Sequence, residues 1–598
     1  MAVKANLLSI PAEVREEILH HYFRVDGGYI YDGDSDCLKT AVGNHPIDLA
    51  LLYTCRTVAN EARHLPLSLN AIKFTTLYRR DLNKLAGCFN YLSGLYNYLE
   101  ADLVVALAKF LTPEIRAELA LEYPKFGPRL ARAVEDRDEM IEHQPQHEDD
   151  EDDLTVQARA MRRTYKGDSA AGAAKMRLKN RLDDTFCVYA PGFLHWNQDD
   201  RTRDYAGFSD LERFTHKNYQ GFARSSSEAK SVWSHVLRLL APENPAEFSR
   251  QIYTIFPESV NRHSAQEFLD MGFEHWAIPS QVRIEHAIEL MALEGMWDAP
   301  DMWHEARHPE PWNTAPQPDT STSTSASSST PRVRCREKIR FSAVANAIRF
   351  LDTRIHPKQR RDIRTLLLHE DFPSVNVPSA HAKGLAPFFQ ENPRLRVERR
   401  VDLMRCIYGA HDEPSNVAAR FQQLDNLTEE PRIVPTGFRL ELSQWLLDAL
   451  AVTSVGIPAD SFTLIIEAGS YKDWISDLFQ QRFHKEIAWY RAFVCLKSIN
   501  SLGERNIMHR MTEDSMIQED EVEAFEILMN KTSPILRTDF NTGVAWDVDT
   551  IVNDTQSLSM NEWFWHWFET LPLSRMEQPT HELDYKVRLT DNYEIQTD

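Results

Sequence analysis

The sequence predicts a mainly α multi-domain protein with a mixed α/β C-terminal domain and disordered linkers between its parts. Three observations carry that reading. Glycine is scarce, 21 in 598 residues, which disfavours an all-β chain built on many tight turns. Apolar residues recur at helical spacing through most of the chain. After residue 360, three short apolar runs, Ile363–Asp371, Arg394–Arg400 and Asp460–Ala468, are bounded by Pro, Asn, Asp or Gly in the manner of strands. The stretches between them are long enough to hold helices, which suits crossovers or a helix-backed sheet and excludes a two-residue hairpin.

A chain of 598 residues is too long for one ordinary core, and two low-complexity stretches divide it. Between Glu135 and Asp153 there are eleven acids and one base, Arg137. That run reads as a solvated linker, with a docking tail for a basic partner as the alternative. The second break, Thr314 to Pro331, is almost all Ser, Thr, Pro and Ala and offers little apolar surface to bury. The resulting map is a helical head over 1–140, a charged linker over 141–180, a helical segment over 181–312, a Ser/Thr/Pro linker over 313–333 and the mixed α/β domain over 334–598.

In the head, Pro11 suits a first helical position and Glu13 complements the helix dipole. Val14, Ile18, Tyr22 and Phe23 share a face, with Leu7 and Leu8 able to pack back onto it. After a Gly- and Asp-containing loop, Leu51, Leu52, Cys55, Val58, Ala59 and Ala62 trace a second stripe. Leu92 to Phe110 is apolar enough for a buried helix. In the middle segment Ser280 is placed to cap a helix carrying Ile284, Ile288 and Met291. In the last segment one helix spans about Leu440 to Val455 and stops at Gly456 and Pro458; another covers Trp474 to Leu496. The aromatic cluster Trp563, Phe564, Trp565, Trp567 and Phe568 reads as core, or as a partner surface.

Composition narrows the function classes. A net charge of −22 repels phosphate backbones, so no nucleic-acid partner is expected. The basic clusters Arg332–Arg340 and Arg394–Arg400 read as solvated faces, with phosphate contact as the alternative. The seven cysteines are widely spaced with no CxxC pair, which gives neither a zinc nor a disulfide framework and suits reduced thiols. The opening MAVKANLLSIPAEVREEI has no apolar stretch long enough for a signal peptide, and no run of 18 apolar residues occurs. A cytoplasmic or nuclear location with no membrane partner is the expectation.

The first seventy-odd residues resemble the F-box-like module common in fungal proteins. The residues that carry the resemblance are Leu8-Ser9-Ile10-Pro11-Ala12-Glu13-Val14-Arg15-Glu16-Glu17-Ile18-Leu19, a Leu-x-x-Leu-Pro-x-Glu-Ile-x-x-x-Ile pattern with Ile10 and Val14 as aliphatic substitutes. A second match is Leu51-Leu52-Tyr53-Thr54-Cys55-Arg56, followed by Glu61-Ala62, and Asn70 to Phe74 resembles the strand-like tail that often follows. The match covers about an eighth of the chain. The resemblance implies binding to a Skp-type adaptor of a cullin ubiquitin ligase, with Leu8, Ile10, Pro11, Val14 and Ile18 facing it as apolar anchors in a partner groove. The opposing reading is that the same residues pack inside the protein's own domain.

One motif points to an enzyme. His304-Glu305-Ala306-Arg307-His308 matches HExxH, in which two histidines one helical turn apart bind zinc and the glutamate activates water. Pro300 and Pro309 confine any helix there to about two turns, His308 directly precedes a proline, and no third ligand follows at a suitable spacing. Neither a phosphate loop, a dinucleotide fingerprint nor a nucleophile elbow occurs. No cofactor or catalytic residue is therefore assigned; His304 and His308 stand as weak metal candidates. Three function classes stay open: an interaction protein with an F-box-like head acting as a substrate receptor, a scaffold without a ligase link, and a zinc hydrolase at His304 and His308. Within the last domain the preferred contact zone is His369–Arg400, with Pro373, Pro378, His381, Phe388 and Phe389 on it.

Overall fold

The computed structural model describes residues 7–142, 223–256, 262–291, 293, 296–305, 333–408, 418, 421, 435–498, 516–570 and 590–597. The expected linkers lie outside these residues except at their edges, 141–142 and 333.

Helix α1, Ala12–Phe23, opens the chain with Pro11 at its N-cap. A hairpin follows, β1 (Tyr29–Asp32) and β2 (Cys37–Thr40), where the sequence reading expected only a loop. The hairpin depends on backbone freedom at Gly28, whose φ is +72°. A Cβ there would run into the Ala71 carbonyl, the group that accepts the Tyr29 amide at 2.8 Å. The second predicted stripe forms a 3₁₀ turn, Ala50–Tyr53, and helix α2, Arg56–Ala62, broken at Cys55, which is extended. Helix α3 (Leu65–Leu69) then leads into β3 (Ile72–Thr75).

Helix α4, Asn83–Leu107, continues as a 3₁₀ turn to Phe110 and includes the apolar stretch expected from Leu92. Most of its described residues are buried, including the polar Asn90, Ser93, Asn97 and Glu100. Helices α5 (Pro113–Glu122) and α6 (Phe126–Glu142) follow. Four more helices come from the middle segment: α7 (Ser226–Glu243), α8 (Pro245–Ile255), α9 (Ala265–Asp270) and α10 (Gln281–Leu290). The Ser280 hydroxyl caps α10 by accepting from the Arg283 amide. Trp233, Leu237, Phe268 and Ile284 of this segment lie in one continuous apolar core with Phe89, Leu92 and Leu99 of α4.

The second core backs a seven-stranded sheet ordered β2-β1-β3-β6-β7-β8-β9, where β6 is Thr365–Glu370, β7 Arg396–Asp402, β8 Phe462–Glu467 and β9 Leu536–Thr538. The three strands expected after residue 360 are thus β6, β7 and β8. All neighbours in the sheet are parallel except β1 and β2. The parallel strands lie in chain order, so every right-handed crossover returns to the same side and the helices gather on one face. Burial follows that rule. Ile72, Phe74, Leu366, Leu368, Val397, Val401, Phe462, Leu464 and Ile466 point into the core, and their alternates are half-exposed. Covering the buried side are helices α11 (Ala343–Arg354), α12 (Ala386–Glu391) and α13 (Pro435–Leu450). The last of these passes into a 3₁₀ turn ended by Gly456 at φ +89°. The helix expected over Trp474–Leu496 consists of α14 (Lys472–Leu478), a π turn and α15 (His484–Ser498). Helices α16 (Glu519–Asn530), α17 (Val548–Thr555) and α18 (Met560–Thr570) complete it. Trp563, Phe564 and Trp567 of α18 are core against Trp489 and Phe493, while Trp565 and Phe568 are exposed.

The mainly helical architecture with a mixed sheet matches expectation. The expected boundaries require correction. Strand β3 from the head pairs in register with β6, Ile72 opposite Leu366 and Phe74 opposite Leu368. The first and last segments therefore share one sheet, and the first and middle segments share the helical core. Backbone hydrogen bonding of β3 needed a partner that lies almost 300 residues away, which local composition does not reveal. Within the expected strand-like tail Asn70–Phe74, Asn70 caps α3 and Ile72–Phe74 belong to the interior strand β3.

Candidate interaction surface

The two stretches that resemble the F-box-like module meet in space. Leu19 and Phe23 of α1 pack with Val58 and Ala62 of α2 and Leu65 of α3 in a small core. Arg15, on the same side of α1, forms a bidentate pair with Glu61 at 2.7 and 2.8 Å and reaches the Ile10 carbonyl at 2.9 Å. The pairing holds the Glu61 carboxyl below the usual range. The Glu-Ala pair of the second pattern thus has a physical role: Ala62 lets α2 approach α1 and Glu61 fixes Arg15.

The adjoining face of α1 is the more exposed one. Leu8 is 43% exposed, Val14 47% and Ile18 40%; Pro11 is exposed and Ile10 half-buried. Val14, Ile18 and Tyr22 recur every fourth residue, so they form one stripe along α1, with Ile10 in the turn before it. Tyr22 is also exposed and donates its hydroxyl to Asp48 at 2.6 Å. Phe23, expected on that stripe, is 2% exposed and faces the small core instead. Partly exposed apolar side chains gathered on one helix face gain free energy when another surface covers them.

The helix that a zinc-binding HExxH pattern needs is absent at its first two positions. His304 and Glu305 form a two-residue strand, β4, paired with β5 (Val333–Glu337), and His304 lies opposite Cys335. His308 lies outside the described residues, and among those described no group of three potential ligands is placed to hold a metal.

Two polar constellations were not foreseen. The Ser342 hydroxyl lies 2.6 Å from His381 Nδ1, and His381 Nε2 lies 2.7 Å from the Asn376 carbonyl. A carbonyl only accepts, so Nε2 carries the proton and Nδ1 accepts from serine. That is the hydrogen-bond order of a serine nucleophile and its base. Both side chains are sealed, however, at 0% and 1% exposure. Burial, then Arg399, pushes the His381 imidazole well below its usual basicity. Ser342 instead caps α11, accepting from the Ala345 amide at 3.0 Å. The second constellation centres on Asp448 of α13, which accepts from Ser225, Ser227, Ser379 and Lys383. Burial alone would raise its carboxyl; Lys383 and the serine hydroxyls outweigh that and hold it below the usual range. Ser227 and Lys383 are 3.0 Å apart, and Lys383 is itself paired with Asp448 at 3.1 Å.

Asn376 joins these groups to the helical core. Its amide donates to Asn90 at 2.8 Å, its side-chain oxygen accepts from Ser93 at 2.7 Å and its side-chain nitrogen donates to the His275 carbonyl at 3.0 Å. Asn376 and Val377 both have positive φ, +65° and +57°. A β-branched residue in that region is strained, and the surrounding hydrogen bonds hold it there. The constellation is a joint between the two cores.

The expected contact zone His369–Arg400 divides between inside and outside. His381, Phe388 and Phe389 are buried, a correction to their assignment as contact residues. His369 and Arg400 lie opposite one another on the half-exposed face of the sheet, Arg400 held at 2.5 Å by both Glu398 and Glu467. The solvated-face reading of Arg394–Arg400 fails at Arg399, which is 1% exposed, pairs with Glu370 at 2.7 Å and lies over the Trp445 ring. No protein-family profile, curated protein or solved structure matches this chain. Among the described residues no helix is long and apolar enough to cross a membrane.

Proposed function

We propose that this is an interaction protein whose head helix α1 binds a Skp-type adaptor, making it an F-box-like substrate receptor for a cullin ubiquitin ligase in the cytoplasm or nucleus. The observation that carries the reading is the division of α1 into two faces. Arg15, Leu19 and Phe23 anchor it to α2 and α3, and Leu8, Val14 and Ile18 remain exposed beside Ile10 and Pro11. A helix already fixed by one face presents the other without an ordering cost on binding. Had the stripe been covered by the chain itself, a scaffold role without a ligase link would have been favoured.

A tagged full chain, incubated with purified Skp-type adaptor, should retain it. The double substitution Pro11→Ala and Ile18→Asp should abolish retention while leaving the far-UV circular dichroism unchanged, because both side chains are on the solvent side. Failure of the unsubstituted chain to retain the adaptor would remove the ligase assignment.

A further inference from the structure

Strand β10, Tyr593–Thr597, lies antiparallel on β5, with Glu594 opposite Arg336 and Ile595 opposite Cys335. Beneath and beside it is a concentration of cations and rings. The Glu594 carboxylate accepts from Tyr78, Arg336 and Arg80. Asp591 pairs with Arg405 at 3.8 Å, and its carbonyl accepts from Arg340. Asn592 accepts from Arg340 at 3.1 Å, and Lys338 donates to the Thr590 carbonyl at 2.7 Å. Aromatic faces back the guanidinium groups: Arg336 is 4.7 Å from the Trp303 ring centre, and Arg340 and Arg405 are 4.3 and 5.1 Å from that of Phe372. Burial pushes the Arg340 guanidinium down to about 10.

We propose that the trough formed by the β5 edge, Tyr78, Arg80, Arg336, Arg340 and Arg405 is a docking site for an acidic peptide whose last five residues add as a strand, occupied here in cis by residues 590–597, of which 590–592 are helical and 593–597 form β10. Its specificity is that of an added strand: main-chain pairing to β5, with carboxylates spaced to meet the cations. The segment is suited to exchange. Only Tyr593 is buried, Ile595 is half-buried and Gln596 and Thr597 are exposed, so β10 adds little apolar burial compared with the interior strands, each of which buries two or more core side chains. Such edges open at low cost. Nineteen residues, 571–589, separate it from α18. The proposal rests on reading the protein as an interaction module, but it uses none of the head-helix residues.

The test measures fluorescence anisotropy of a labelled peptide, TDNYEIQT, against the full chain, a Glu594→Lys chain and a chain ended at residue 589. Both altered chains should bind at least tenfold tighter than the unaltered one, and tenfold weaker again when salt rises from 50 to 500 mM. A peptide with Asp591 and Glu594 replaced by Lys should not bind. Equal affinity of the altered and unaltered chains would overturn the proposal. So would equal binding of the lysine peptide, or binding of a single-stranded oligonucleotide as tight as that of the peptide. Should the altered chains misfold, hydrogen exchange on the unaltered protein decides: amides of β10 should exchange at least a hundredfold faster than those of β7, and equal protection would refute exchange of the strand. Adaptor retention by the Glu594→Lys chain separates a failure here from a failure of the head assignment.

Discussion

Replacing Glu100 with Gln should stabilise the protein at neutral and alkaline pH and do so progressively less as pH falls. Glu100 lies on α4 at 1% exposure, deep in the helical core. Burial raises its carboxyl from 4.5 to about 7, against hydrogen bonds from Ser234 and Tyr96 and the charge of Arg238 that act the other way. A carboxyl whose folded value is raised contributes its full stability below pH 4.5, where both states are protonated. It loses that contribution as pH rises toward and through 7, because the unfolded chain ionises first. With 4.5 in the unfolded chain and about 7 in the folded one, the penalty is about 0.8 kcal/mol at pH 5 and about 3.4 kcal/mol at pH 8. The Gln amide keeps the acceptor for Ser234 and never ionises. Urea unfolding followed by circular dichroism at pH 5 and pH 8 should therefore show the advantage of Glu100→Gln growing by roughly 2–3 kcal/mol between them. An advantage equal at the two pH values would mean that the carboxyl is not held neutral, and the reasoning would fail.

Within α1 the two faces should respond differently to truncation: Leu19→Ala, at 1% exposure, should cost about 3 kcal/mol, while Ile18→Ala should stay within about 0.5 kcal/mol, both read from urea midpoints. Asn376→Ala removes the hydrogen bonds to Ser93 and the His275 carbonyl and leaves buried partners unpaired, so it should cost about 2–4 kcal/mol, with a lowered melting temperature as the readout. A protease site inserted between Thr314 and Pro331, once cut, should leave two pieces that co-elute in gel filtration, since β3 and β6 belong to one sheet; separate elution would contradict the shared sheet.

The sequence made local elements legible and long-range ones opaque. Strands β6, β7 and β8 announced themselves through β-branched and leucine-rich runs between breakers, and α4 through its unbroken apolar stretch. Four-residue strands such as β1 carry too few residues for an alternation to stand out. In β1 the sequence Tyr-Ile-Tyr-Asp sits between glycines that look like loop. The mistaken domain boundaries have the same origin: low-complexity stretches mark where the chain is interrupted, not where cores end. At the surface site, spacing identified Val14, Ile18 and Tyr22 as one stripe but could not say which side of α1 would be covered. The answer came from Glu61, whose pairing with Arg15 joins positions 46 residues apart. The Asp448 and His381 constellations had no periodic signature at all, being assembled from single Ser, Lys, Asn and His residues on separate elements.

The most direct test of the central claim is titration calorimetry of the full chain with a purified Skp-type adaptor, beside the Ile18→Asp chain. The account predicts a Kd of about 1 µM or tighter for the unaltered chain and at least a thirtyfold loss for Ile18→Asp, the effect of losing one apolar anchor worth about 2 kcal/mol, with identical urea unfolding of the two chains. No measurable heat from the unaltered chain, or equal affinity of the two, would contradict it.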